Sequence, residues 1–283
     1  MELSSPSARV FCPDGRPALL AWGSTRQLGV VAHADDLEIS AIKGILDGFA
    51  APEPSFCGVV VCDGAGAPKH GDLLNLPEQE YRELRQAEQE RAATLGRYAA
   101  TIGLSHQSSS VRARSSEVGR DLDTILGALS PDVVYTHNPF DAHDTHVAVM
   151  LELIAALRRR PLAHRPPRLI GCEVWRDLDW LPDAYRVALD VGDHTELQRD
   201  LLAVFGSQLD GGKRYDLAVL GRRRAHATFH RADRADETSG LVFGVDLTCL
   251  IGPNPPELSQ FVEEVLTAFR QDVVLRLARL GAD

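Results

Sequence analysis

Two periodicities alternate along the first 175 residues: short apolar runs that stop on polar residues, and longer stretches with apolar positions every three or four residues. Leu28-Gly29-Val30-Val31-Ala32 is partly β-branched and halted by His33, so it predicts a buried strand. A shorter run, Ala18–Trp22, precedes it across polar Ser24–Gln27. Asp35 and Asp36 stand where a helix can start, and Ile39, Ala41, Ile42, Ile45, Leu46 and Phe49 carry helical spacing until Pro52 and Pro54 end it. Phe56–Cys62 predicts a second buried strand closing on Asp63-Gly64-Ala65-Gly66.

Residues 63–78, rich in Gly, Pro, Asp and Asn, read as a loop of the length that often carries function. A helix is expected from Pro77 to Tyr98, a short polar strand or loop from His106 to Val111, and a further helix through Leu122, Ile125, Leu126 and Leu129. The strand Pro131–Thr136 delivers the chain to His137-Asn138-Pro139-Phe140-Asp141-Ala142-His143-Asp144-Thr145-His146, and a helix follows through Val149, Leu151, Ile154 and Leu157. Another strand is expected from Arg168 to Trp175.

Later elements are less regular: a strand near Arg186–Val191, a helix over Thr195–Phe205, a solvated Arg/His-rich stretch over Arg222–Arg234 and a strand near Leu241–Leu247. The tail places Leu258, Phe261, Val265, Phe269, Val273, Leu277 and Leu280 on one face of a long helix. Packing onto its own domain is the expected fate of that face, with a homo-oligomer interface as the alternative. Strands alternating with helices predict an α/β fold, a mainly parallel sheet covered on both faces, within one domain of residues 1–283. Sites in such sheets lie at the carboxyl ends of the strands, where both His/Asp clusters fall.

Composition narrows the partners. A net charge of −10 argues against a nucleic acid, whose binding draws on Lys and Arg neutralising phosphates, and favours a small-molecule substrate. The runs Arg158–Arg160 and Arg222–Arg224 read as solvated surface. Five scattered cysteines without a Cys-x-x-Cys signal neither a disulfide framework nor a thiolate zinc site, and fit a reducing cytoplasm. The first 17 residues lack a signal-peptide core, and no stretch approaches the ~20 apolar residues of a membrane span, so a cytoplasmic location away from membrane is expected. Gly64 and Gly66 do not form a dinucleotide fingerprint.

His33, Asp36 and His146 would give two imidazoles and one carboxylate, a set that suits Zn²⁺, with Fe²⁺ as the alternative, and leaves positions open. Asp35 would then be free as a general base, and His143 would be placed to donate to an oxyanion. Asp141 or Asp144 could hold His143 in the donating form. The bland alternative for His33–Asp36 alone is a helix cap; two strand-end clusters in one chain favour the metal site. His226 and His230, at i and i+4, could also share a helical face, but their Arg- and Asp-rich surroundings suggest a solvated segment.

With those residues in place, the chain resembles the PIG-L/LmbE-like metal-dependent N-deacetylases. Ala32-His33-Ala34-Asp35-Asp36-Leu37-Glu38-Ile39 is similar to the family's Ala-His-Pro-Asp-Asp-(Ile/Val)-Glu-Ile, with Ala34 in place of the usual Pro. The likeness continues in Asp63-Gly64, Arg85-x-x-Glu88, Ala92–Gly96, His143-x-x-His146, Asp190 and Ser207-Gln208. The resemblance implies a Rossmann-like three-layer sandwich that binds no nucleotide, a catalytic Zn²⁺, and hydrolysis of an N-acetyl group from an amino-sugar derivative. It implies His33, Asp36 and His146 as metal ligands, Asp35 as base, His143 as oxyanion stabiliser, and Arg85 with Asp63 as substrate contacts. The family's His-Pro-Asp-His is here His143-Asp144-Thr145-His146, so the carboxylate before the last ligand is missing. Two rival expectations follow: an amidase acting on a thiol conjugate or another small N-acyl substrate, and a metal- or glycan-binding module without catalysis.

Overall fold

The computed structural model describes residues 2–282. In chain order its elements are β1 (Arg9–Phe11), α1 (Ala18–Ser24), β2 (Gln27–Val31), α2 (Asp36–Ser40), α3 (Ile42–Ala50), β3 (Phe56–Cys62), α4 (Glu78–Leu95), β4 (Ala100–His106), α5 (Ser108–Arg112), α6 (Ser116–Ala128), β5 (Val133–His137), α7 (Asp144–Arg159) and β6 (Arg168–Cys172). These are followed by β7 (Arg186–Asp190), α8 (Thr195–Ala203), α9 (Gly206–Leu209), α10 (Tyr215–Phe229), β8 (Leu241–Asp246) and α11 (Leu258–Arg279).

All eight strands form one sheet in the order β1-β4-β3-β2-β5-β6-β8-β7. The five central strands, β4 to β6 in that order, are parallel, and β1, β8 and β7 join antiparallel at the edges. The mainly parallel α/β sandwich expected from the sequence is therefore present. From β2 the chain winds outward through β3 and β4, then returns to lay β5 on the other side of β2. The gap between the carboxyl ends of β2 and β5 is thus a topological switch point, where such sheets open a crevice.

Every residue of β3 is buried, because helices cover both faces of the sheet. The period-two alternation of a strand divides it: Cys57, Val59 and Val61 join a core with residues of α6, α7 and α11, while Phe56 and Val60 join a core with residues of α3, α4 and α8. Gly29 and Gly58 are register partners, and a Cβ on either would come within 2.6 Å of a Leu37 methyl. Their bare backbones let Leu37 sit directly on the sheet, which clamps the short helix α2 and the turn before it.

Several elements depart from the sequence reading. The Ala18–Trp22 run, given no element, is helical, and β4 occupies another stretch given none. Ser108–Arg112 is a helical turn, not strand or loop. The Arg222–Arg234 stretch is solvated only in part: residues 228–234 are mostly exposed, but α10 runs through Phe229, Arg223 is buried with hydrogen bonds to Gln198 and the Glu38 carbonyl, and buried His226 faces Glu173 at 3.1 Å. Only the first half of the tail stripe packs on its own domain. Phe261 and Val265 are buried and Phe269 meets Trp180 edge-on, whereas Val273, Leu277 and Leu280 are exposed. No helix among the described residues is long and apolar enough to cross a membrane.

Candidate metal centre

The first cluster is held at the end of β2 by a tight turn. Asp35 has φ 90°, ψ −31°, a left-handed conformation that is costly for a residue with a Cβ. Buried Arg85, on α4, holds this turn: its guanidinium donates to the Ala34 carbonyl at 2.9 Å and lies 3.9 Å from the Asp35 carboxylate. Behind the turn, Gln89 and Tyr98 both donate to Glu38 Oε1, at 2.8 and 2.7 Å. Glu88, one turn along α4, accepts from the Ser207 backbone and hydroxyl at 2.8 and 2.6 Å. The Arg85-x-x-Glu88 spacing thus serves to tie α4 to two neighbouring segments.

The second cluster enters from β5. His143 caps α7, accepting the Thr145 N–H on Nδ1 at 3.2 Å. His146, in the first turn of α7, points back under the β2 turn. His33 Nδ1, Asp36 Oδ2 and His146 Nε2 form a triangle with edges of 3.2, 3.3 and 3.3 Å. An ion bonded at about 2.0–2.1 Å in tetrahedral geometry separates its ligand atoms by about 3.3–3.4 Å, so the donor types and the triangle's size both fit Zn²⁺ or a similar cation. His137, Asp141 and His146 form a second compact group that shares His146.

The surroundings give these groups different electrostatics. Burial opposes the charge on His33, but Asp36 and Cys62 outweigh it and bring its pKa up to about 10; His146, buried but facing Asp36 and Asp141, rises to about 9. Burial would raise Asp36, yet His146, His33 and His137 pull it well below the ordinary carboxylate range. Asp35 goes the other way. Burial, with Asp36 adding and Arg85 opposing, lifts it to about 7. His143 is pushed below 6.5 by burial and by the neighbouring imidazoles.

The choice left open between Asp141 and Asp144 has a geometric answer. Asp144 is exposed, while Asp141 faces His146 Nδ1 at 3.4 Å and also accepts from the backbone N–H groups of His143 and Trp175. Neither carboxylate holds the His143 ring; the Thr145 N–H does. Since Nδ1 is an acceptor there, a neutral His143 carries its proton on Nε2.

Residues with no assigned role in the sequence reading also shape the site. His137 is fully buried, accepts the Ala32 N–H on Nε2 at 2.9 Å and stacks on His146 at 3.9 Å. A pocket of about 760 Å³ opens over the triangle, lined by His33, Asp35, Asp36 and His143 and walled by Arg112, Trp175, Tyr215 and Arg222. Arg85 and Asp63 also line it, Asp63 paired to Arg82 at 3.1 Å. His226 and His230 lie elsewhere, against Phe243.

Fold and site together define a Rossmann-like protein whose switch-point crevice holds a two-histidine, one-aspartate candidate metal centre. Residues 28–157, a span that contains both clusters, match the family PIG-L, GlcNAc-PI de-N-acetylase. Among solved structures it is similar to the conserved protein TT1542 from Thermus thermophilus (TM-score 0.60, 16% identity, 82% of this chain and 96% of that chain). It is also similar to N,N'-diacetylchitobiose deacetylase from Pyrococcus horikoshii (0.59, 20%, 81% and 87%). A third likeness is to GalB, the 4-carboxy-2-hydroxymuconate hydratase from Pseudomonas putida KT2440 (0.55, 15%, 78% and 95%). Comparison with curated proteins finds no match.

Proposed function

We propose that the protein is a metal-dependent hydrolase that removes an N-acetyl group from an amino-sugar derivative, with Zn²⁺ as the metal and the whole chain acting as one domain. The observation that carries this reading is the 3.2–3.3 Å triangle of His33, Asp36 and His146 beside the Asp35 carboxylate, which stands outside the triangle and which burial lifts to about 7. His33, Asp36 and His146 would hold the cation, which supplies Lewis acidity that acidifies a water and polarises the acyl oxygen. Asp35 takes a proton from the attacking water; the C–O bond forms, the C–N bond breaks, and the same carboxylate returns the proton to the leaving nitrogen. The products are acetate and the amine, which leaves as the ammonium ion after taking up the second proton of the water. His143, neutral and protonated on Nε2, donates to the oxyanion as charge builds on the acyl oxygen. Arg85 keeps Asp35 in its strained conformation, and Asp63 with Arg82 shapes the wall that receives the substrate.

The PIG-L match and the diacetylchitobiose deacetylase among structural neighbours support an N-acetyl sugar as the substrate class. The test is a panel of N-acetylated sugars, other small amides including thiol conjugates, and an enoic acid as a hydration substrate, given to zinc-reconstituted protein. Acetate release from an acetamido sugar is the expected result. Turnover of only the other amides would move the assignment to an amidase, and stoichiometric zinc without any turnover would favour a binding module.

A further inference from the structure

The pocket wall carries positive charge that the protein itself does not neutralise. Four arginines line it. Arg82 is paired with Asp63 and Glu78, and Arg85 lies by Asp35 with its donors on Ala34 and Ser207. Arg112 and Arg222 are different. Arg112 donates to the Thr145 hydroxyl at 3.2 Å and Arg222 to the Val174 carbonyl at 2.7 Å; among the described residues neither forms an ion pair. A guanidinium has five N–H donors, so most of each fork is uncommitted. The lining also holds the carboxylates Asp35, Asp36, Asp63 and Glu78, with Asp63 and Glu78 committed to Arg82 and Asp35 beside Arg85, so Arg112 and Arg222 are the two lining cations left to meet an anion that enters the cleft.

Position 145 explains why Arg112 is free. A carboxylate there, as in the family's His-Pro-Asp-His, would sit against the Arg112 guanidinium and close an ion pair; Thr145 offers a hydroxyl instead. Ser108 and Ser109, four and three residues before Arg112 on α5, line the same pocket and add hydroxyl donors beside it.

We infer that Arg112, with Ser108, Ser109 and Arg222, recognises an oxyanion on the substrate, so that the preferred N-acylated molecule carries a phosphate or carboxylate group. This rests on the hydrolase reading above for the location of the acyl group, but the anion site can be measured without turnover. Arg112 is a specificity residue: it hydrogen-bonds to Thr145, beside the ligand His146, and reaches the substrate away from the reacting carbon.

The experiment is calorimetric binding of N-acetylglucosamine, its 1- and 6-phosphates and N-acetylmuramic acid to zinc-loaded D35N protein, which holds substrate without consuming it. At least one anionic compound is expected to bind tenfold or more tightly than N-acetylglucosamine. Preference for a sugar phosphate identifies a phosphate site; preference for N-acetylmuramic acid identifies a carboxylate site. Adding Arg112→Gln or Thr145→Asp should cut the preference at least fivefold, the second by supplying Arg112 with an internal partner, while Arg112→Lys retains part of it. Equal affinities for all four compounds, or a preference that survives both variants, would overturn the inference. The hydrolase reading stands or falls separately, on acetate release by the unmutated enzyme: failure there with the anion preference intact leaves the anion site standing.

Discussion

Asp141→Asn is the most informative single substitution outside the ligand triangle. Three N–H groups converge on this carboxylate: the His143 backbone N–H at 2.9 Å on Oδ1, and the Trp175 backbone N–H at 3.3 Å with His146 Nδ1 at 3.4 Å on Oδ2. Two acceptor oxygens serve all three, whereas an amide has one oxygen and presents an NH₂ on the other side. Either amide orientation sets N–H against N–H, or drives the His146 proton onto Nε2, the atom aimed at the cation. Loss of such a partner typically costs 10–100-fold in metal affinity, or about 1.4–2.7 kcal/mol. Zinc affinity would be measured by competition with a chelator of known strength, with circular dichroism to show that the fold is kept. Asp144→Asn, at an exposed residue, serves as the control and should leave affinity unchanged. A wild-type zinc affinity in Asp141→Asn would refute the assignment of Asp141 as the group that orients His146.

Other outcomes follow from the same geometry. Asp35→Asn should lower turnover by about 10²–10⁴ while zinc content is retained, and Asp35→Gly should do the same yet raise the melting temperature, because glycine accepts φ 90° without the penalty of about 1–3 kcal/mol. The base must be ionised to act, so its raised pKa predicts an acid limb in kcat/KM: activity falls as pH drops through a midpoint between 3.8 and about 7, a bound cation pulling the midpoint down from the upper value. A flat profile over that range would exclude Asp35 as the base. Gly29→Ala, whose methyl would meet Leu37, Phe56 and Ala41 at 2.6–3.2 Å, should destabilise the fold by about 1–3 kcal/mol in denaturant titrations.

How much of this was legible in sequence depended on where each signal resides. The strands β2, β3 and β5 are short β-branched runs buried on both faces, and such runs announce themselves. β4 did not, because the alanine-rich end of α4 leads into Ala99-Ala100-Thr101-Ile102 with only Gly96 and Arg97 marking the break. α5 and α10 were misread because pocket-lining helices are polar on the face that elsewhere would be apolar, and a buried arginine such as Arg223 looks like surface in one dimension. His33 and Asp36 could be picked out because they follow the end of β2 directly, and His146 because it opens α7 just beyond the loop that leaves β5, positions topology makes functional. Trp175, Tyr215 and Arg112 come from three segments that meet only in the folded chain, so no spacing could join them. The lost carboxylate at Thr145 was visible; its consequence, a free guanidinium, required the position of α5.

The most direct test of the metal centre is a crystal structure of the zinc-loaded protein with anomalous data at the zinc edge. The expected result is one ion within about 2.0–2.2 Å of His33 Nδ1, Asp36 Oδ2 and His146 Nε2. An ion seated instead among His137, Asp141 and His146, or no ion at the triangle in protein that carries stoichiometric zinc, would contradict it.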